Sequence, residues 1–252
     1  MQYTISDITG ILQAETRLVQ DTDIDHLLLD SRKIVDPARS LFFALIGFRR
    51  DGHDFIPALY RSGVRSFVIS HELNYELYPL ANFLRVPDTL AALQQLAAYH
   101  RSRFSIPVIG ITGSNGKTIV KEWLYQLLQP EHTIVRSPRS YNSQIGVPLS
   151  IWLMQEKHSL AIFEAGISKP GEMDRLEKMI RPTIGVFTNI GDAHSEGFTS
   201  REEKEKEKRL LFRQATLVSD LQVQSVNRDS ASSLIKAIDP AKPGNTISIE
   251  IP

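Results

Sequence analysis

The chain contains no cysteine among its 252 residues. That excludes disulfides, thiolate metal sites and a cysteine nucleophile. Net charge is missing too: 29 basic residues are matched by 29 acidic ones. Neither nucleic acid nor an anionic membrane is therefore expected as a main partner, and any phosphate binding must come from a local site. No run approaches the roughly 18 apolar residues of a membrane span. The start, Met1 to Asp7, lacks the basic and apolar segments of a signal peptide. These absences lead to the expectation of a cytoplasmic protein. What is present is ordinary, with 42% hydrophobic and 23% charged residues, enough for one large or two modest domains.

Short apolar segments punctuate the chain: Leu27 to Leu29, Leu41 to Ala44, Ser66 to Ile69, Phe83 to Val86, Val108 to Ile111, Leu160 to Phe163 and Ile184 to Phe187. Lacking alternation, they read as strands of a parallel sheet covered on both faces. Helical spacing fills the gaps. Phe55, Ile56, Leu59 and Tyr60 precede Gly63, Leu90, Leu93, Leu96 and Ala97 share one face, and further helices are predicted near 171–180 and 200–213. Ile119, Val120, Trp123, Leu124, Leu127 and Leu128 form an expected apolar helix face. The fold class predicted is α/β: a small N-terminal α/β domain (1–86), then a doubly wound, mostly parallel-sheet P-loop domain (87–252), divided at Val86-Pro87.

Thr112-Gly113-Ser114-Asn115-Gly116-Lys117-Thr118 lies between a predicted strand and a predicted helix. Glycines let backbone N–H groups approach phosphates, and the helix N-terminus adds partial positive charge. Lys117 can reach the outer phosphates, and the Thr118 hydroxyl can ligate Mg²⁺. The spacing departs from the usual P-loop, because Ile111 occupies the first glycine position and Gly110 and Gly113 flank it. Glu164 and His194 also follow strands, where α/β sheets bind ligands. Glu164 reads either as a Mg²⁺ ligand or as a capping, solvated carboxylate, and His194 either as functional or as a solvated loop residue. Arg201 to Arg209 is a run of nine charged residues. Glu202–Lys206 and Glu205–Arg209 suit an exposed helix. Lys208 shares a face with Leu211 and Phe212, and a desolvated lysine has a lowered pKa, so its neutral amine can take up CO₂ as a carbamate.

In order along the chain, several segments together resemble the Mur ligases, the amide-forming enzymes of peptidoglycan precursor synthesis. They are Asp30-Ser31-Arg32, Asp51-Gly52-His53-Asp54, the loop at 112–118, Tyr141 to Pro148, Glu164-Ala165-Gly166 and Ala193 to Phe198. The resemblance covers about residues 25 to 212. It is strongest to the member that joins D-alanyl-D-alanine to UDP-N-acetylmuramoyl-tripeptide, in its form fused to an alanine racemase, of which the chain shows nothing. The resemblance implies ATP and Mg²⁺ as cofactors. It implies that Gly113, Ser114, Asn115, Gly116, Lys117 and Thr118 bind ATP, that Thr118, Glu164 and His194 organise Mg²⁺, and that Lys208 is the family's carbamylated lysine. By the same resemblance Asn142 lies near phosphates and substrate, Ser31 and Arg32 hold the UDP-sugar, and Asn227 faces adenine. Ile119 stands where the family often has a hydroxyl. The third family domain is expected to be absent. Two readings from other classes stay open: a P-loop NTPase or kinase with another acceptor, and a non-catalytic fragment that binds nucleotide or UDP-sugar.

Overall fold

A computed structural model describes residues 2–191, 197–223, 233–238 and 246–251, with only the backbone from residue 221 on. The chain forms two compact units, Met1–Tyr99 and His100–Pro252.

The first unit runs β1 (Tyr3–Thr4), α1 (Ile5–Leu12), β2 (Glu15–Arg17), β3 (Asp23–Ile24), β4 (His26–Leu28), β5 (Ser40–Phe43), α2 (Ile56–Arg61), β6 (Ser66–Ile69), β7 (Asn82–Arg85) and most of α3 (Thr89–Ser102). Its main sheet has the order β2-β7-β6-β5-β4, parallel except where β2 meets β7. Every residue of β5 and β6 is buried, as continuous apolar strands require. Phe42, Phe67 and Phe83 centre the core, with Phe67 and Phe83 stacked at 5.5 Å. α1 opens on a capping box: Asp7 N–H donates to the Thr4 hydroxyl (3.2 Å), and Thr4 N–H donates to the Asp7 carboxylate (2.9 Å). Within the first unit, Thr89 of α3 donates to the Ala44 carbonyl (3.0 Å) and Gln95 to that of Ile11 (2.6 Å). Val86-Pro87 thus follows the unit's last strand, and the division between units falls inside α3.

The second unit runs β8 (Val108–Thr112), α4 (Lys117–Leu128), β9 (Ile134–Arg136), α5 (Gly146–Trp152), β10 (Leu160–Glu164), α6 (Glu172–Ile180), β11 (Ile184–Phe187), α7 (Arg201–Arg209), β12 (Leu217–Val223), β13 (Ser233–Ile238) and β14 (Thr246–Ile251). The sheet order is β14-β13-β12-β11-β8-β10-β9. β9 to β12 all pair in parallel, and β13 and β14 are antiparallel. This is the mostly parallel α/β architecture expected. From β8 the chain goes to one side for β9 and β10, then crosses to the other for β11 and β12. β8 is therefore the switch point, where the carboxyl ends of strands leave a crevice.

One helix face needs correction. Val120, Leu124 and Leu128, at i, i+4 spacing, pack on the sheet, but Ile119 and Leu127 are 55% and 49% exposed. The buried stripe is narrower than the apolar run, because residues one step off it are turned about 100° away.

After α7, Leu210–Phe212 forms a 3₁₀ turn with Leu211 and Phe212 buried. Gly110 and Gly185 pair side by side in the sheet under this turn. A Cβ on Gly185 would lie 2.8 Å from Phe212 Cε1, and one on Gly110 2.8 Å from Pro182 Cβ. Gly185→Val is expected to cost about 1–3 kcal/mol through overpacking, seen as a lower urea midpoint. An unchanged midpoint would mean the turn has slack to move away.

Candidate active site

The loop after β8 is braced from the segment after β11. Ser114 N–H donates to the Asn189 carbonyl (2.8 Å), Asn115 N–H to Asn189 Oδ1 (3.0 Å), and the Thr188 hydroxyl to the Asn115 carbonyl (2.6 Å). Gly113 sits at φ +146, and any Cβ there would overlap the Thr188 hydroxyl and lie 2.9 Å from the Asn189 carbonyl oxygen. Only glycine fits. Two of the loop's N–H groups, those of Ser114 and Asn115, are thus spent on bracing. The first turn of α4, beginning at Lys117, offers N–H groups with no acceptor within the helix, at the positive end of its dipole. That is a candidate anion site.

Three lysines converge on it. Lys117 Nζ donates to the carbonyls of Gly113 (2.8 Å) and Ser114 (3.2 Å). Lys208 Nζ donates to the same Gly113 carbonyl (3.2 Å). Lys204 Nζ donates to the Gly191 carbonyl (2.6 Å), which also accepts from the Ser114 hydroxyl (3.1 Å). Burial lowers the Lys117 pKa, against the opposing pull of Glu164. Burial, with the charges of Lys117 and Lys204, pushes Lys208 down to about 8. The structure thus bears out the desolvation expected of Lys208. It also turns Lys204 inward, four residues earlier on the same face of α7. Sequence reasoning missed Lys204 by treating the charged run as solvated apart from Lys208. Glu205–Arg209, one of the two expected surface pairs, forms at 2.8 Å.

Beside the lysines lies a carboxylate. Glu164 ends β10 and is fully buried. Its Oε2 accepts from the Thr118 hydroxyl (3.0 Å) and lies 3.5 Å from Asn142 Nδ2. Its Oε1 is ion-paired with Lys121 Nζ at 2.9 Å but has no aligned hydrogen bond. Burial and these partners make Glu164 a fixed group rather than a solvated one. The hydroxyl of Thr118 and the carboxylate of Glu164 are hard oxygen donors, which suit Mg²⁺. Lys121 was also missed. It sits three residues after Thr118, on the same face of α4, between Val120 and Glu122, where no local pattern marks it.

Not every expected residue enters this cluster. His194 and Asn227 lie outside the described residues. Ser31 and Arg32 belong to the first unit, in the turn after β4. There the Arg32 guanidinium, 86% exposed, grips both oxygens of Asp30 at 2.8 Å and holds the Asp30 carboxyl well below the usual range. Also in the first unit, Asp51, His53 and His71 have ligand atoms within 4.8 Å of one another. Ser70 N–H donates to His53 Nε2 (3.0 Å), so Nδ1 carries the proton it shares with Asp51 Oδ1 (2.5 Å). Both nitrogens are engaged and neither offers a lone pair to a metal. His53, its pKa lowered by burial, is a strut that ties the turn at residue 51 to the end of β6.

Comparison with known proteins supplies the family. Residues 111–250 match the Mur ligase middle domain, and residues 23–101 match the catalytic domain of the Mur ligase family. The chain belongs to the Mur ligase family. It is 38% identical over 187 residues to a UDP-N-acetylmuramoyl-tripeptide–D-alanyl-D-alanine ligase from Synechocystis, covering 74% of this chain and 40% of that protein. The Escherichia coli protein of the same name is 32% identical over 212 residues, covering 84% of this chain and 45% of the relative. This chain therefore spans less than half the length of these relatives. In fold, it superposes on a crystal structure of MurF from Acinetobacter baumannii with a TM-score of 0.85 at 23% identity, over 100% of this chain and 61% of that one. The MurF ligase of Thermotoga maritima in complex with ADP gives 0.71 at 24% identity, over 89% and 57%.

Proposed function

We propose that this Mur ligase chain binds ATP and Mg²⁺ at the loop after β8 and activates the carboxylate of UDP-N-acetylmuramoyl-tripeptide for amide formation with D-alanyl-D-alanine. The observation that carries this reading is the meeting of Lys117, Thr118 and Glu164 at the carboxyl ends of the adjacent strands β8 and β10. Residues 1–86 would hold the UDP-sugar, through Ser31 and Arg32 among others, and residues 87–252 the nucleotide. A cytoplasmic place fits an ATP-dependent reaction, and among the described residues no helix is long and apolar enough to cross a membrane.

In the first step a tripeptide carboxylate oxygen bonds to the γ-phosphorus of ATP. The bond from that phosphorus to the β–γ bridging oxygen breaks, leaving an acyl phosphate and ADP. In the second step the amine of D-alanyl-D-alanine attacks the acyl carbon, expels phosphate and loses a proton. Phosphoryl transfer needs positioning and charge neutralisation rather than a protein nucleophile. Lys117 and the first-turn N–H groups of α4 supply positive charge at the phosphates. Thr118 and Glu164 would hold Mg²⁺, with His194 and a carbamylated Lys208 as further ligands. Bound there, Mg²⁺ would neutralise charge on the β- and γ-phosphate oxygens. Asn142, placed beside Glu164, would orient the acceptor or the phosphates.

The test is ADP release from ATP and Mg²⁺ with UDP-N-acetylmuramoyl-tripeptide, with and without D-alanyl-D-alanine. Release that needs both is expected of a working ligase. Release indifferent to the muramoyl peptide would overturn the substrate assignment in favour of an NTPase. Binding of nucleotide and UDP-sugar with no ADP release would show a chain that binds both without turnover.

A further inference from the structure

Lys121 Nζ is held from three sides. It lies 2.9 Å from Glu164 Oε1 and donates to the carbonyls of Ser137 (2.8 Å) and Arg139. Glu122 Oε1 lies 3.3 Å away, at the rim. Both the Lys121 and the Glu164 side chains are fully buried. The two carbonyls belong to the segment after β9, which also fixes Glu164 itself, since the Ser137 hydroxyl accepts from Glu164 N–H (3.1 Å). The ammonium is therefore anchored by two backbone carbonyls as well as by the carboxylate. Burying such a pair gains little stability over an apolar pair of the same shape, so stability alone gives little reason for a lysine here.

The geometry divides the two carboxylate oxygens. Oε1 is covered and faces Lys121. Oε2 faces the Thr118 hydroxyl at the start of α4 and Asn142. With Oε1 turned to the buried Lys121 ammonium, Oε2 is the oxygen that faces the start of α4, and a cation there meets the carboxylate through that oxygen. Mg²⁺ wants near-ideal octahedral geometry and accepts single oxygens. Ca²⁺ takes more ligands and often binds a carboxylate through both oxygens.

We propose that Lys121 is a positioning residue that makes Glu164 a one-oxygen ligand, and that it thereby sets the preference of the nucleotide site for Mg²⁺ over Ca²⁺. The proposal rests on Glu164 as a metal ligand, as argued above. The Lys121 side chain is fully buried. Its effect passes through Glu164.

The experiment is calorimetric titration of ATP into the chain with saturating Mg²⁺ or Ca²⁺. The wild type is expected to bind ATP about ten-fold more tightly with Mg²⁺. Lys121→Gln keeps a donor for the Ser137 carbonyl but frees Oε1, and is expected to bring the ratio to within about three-fold by strengthening the Ca²⁺ arm. Lys121→Arg restores a cation and is expected to restore the ratio. A purely structural role would weaken both arms together and leave the ratio unchanged. A folded Lys121→Gln chain with the wild-type ratio therefore overturns the proposal. So does a wild type that does not discriminate, a result that needs no variant to fold. Glu164→Gln separates the two levels. If metal-dependent ATP binding survives that change, Glu164 is not a ligand and the underlying reading fails. If it is lost while Lys121→Gln keeps the ratio, only the role given to Lys121 fails.

Discussion

Lys117→Ala is expected to weaken ATP and ADP binding by roughly 30-fold or more while leaving the unliganded chain at least as stable as the wild type. The two effects have one cause. Without nucleotide the Lys117 ammonium is met by the carbonyls of Gly113 and Ser114, and burial lowers its pKa. Among the described residues it is a desolvated cation with dipoles but no full anion in direct contact. Removing it takes away a group that is costly to bury. Phosphate oxygens would supply the missing anion, and truncating one partner of a buried charge pair costs about 2–5 kcal/mol, which is roughly 30-fold to several thousand-fold in affinity. Calorimetric titration of ADP reads the first effect and thermal melting the second. An affinity within about three-fold of wild type would mean that the loop does not cradle phosphates. A lower melting point with intact affinity would make Lys117 a structural brace for the loop.

The parts of this site that could be read from the sequence are those fixed by local pattern. β5, β6, β8, β10 and β11 are short and apolar without alternation, and each falls within a residue or two of the segment that predicted it. The loop at 112–118 declares itself through glycine and lysine at the end of such a strand. Local pattern could not reveal elements whose stability is tertiary. β1 and β3 have two residues each, and β9 has three. α5 contains Gly146 and Pro148 near its start, residues that read against a helix until the close approach of Gly146 to the Tyr141 backbone shows why glycine is needed. Lys121 shows the limit most clearly. In sequence it stands beside Glu122 as one of several polar residues of an amphipathic helix. Only the pairing of β8 with β10 brings Glu164 within 2.9 Å and makes it part of the site. Lys204 was hidden for the opposite reason, since a run of nine charges looks solvated as a whole although one face of the helix carries two buried lysines.

Lys208→Met is expected to stabilise the unliganded chain at pH 7 by roughly 2–3 kcal/mol and to abolish any ligase turnover. The sign follows from linkage. Burial brings the folded-state pKa of Lys208 from 10.5 to about 8, so the unfolded chain binds this proton more tightly than the folded one. Below about pH 8 both states are charged and the full penalty opposes folding. Between there and about pH 10.5 the folded lysine is neutral while the unfolded one still binds its proton, so wild-type stability rises with pH. The advantage of the methionine variant should therefore be largest at pH 7 and shrink towards pH 10.5. Urea unfolding of both chains at several pH values measures it, and a gap that does not change with pH removes the lysine as its cause. The same measurement addresses the carbamate. Reaction of the neutral amine with CO₂ forms an N–C bond, releases a proton and leaves an anion close to Lys117 and Lys204, whose charges act on Lys208. A buried ammonium opposed by two cations would become a carboxylate paired with them. Added bicarbonate should then raise the stability of the wild type and leave the methionine variant unaffected. If both chains respond alike, Lys208 remains an amine, and its place in the site is that of a third cation facing the phosphates.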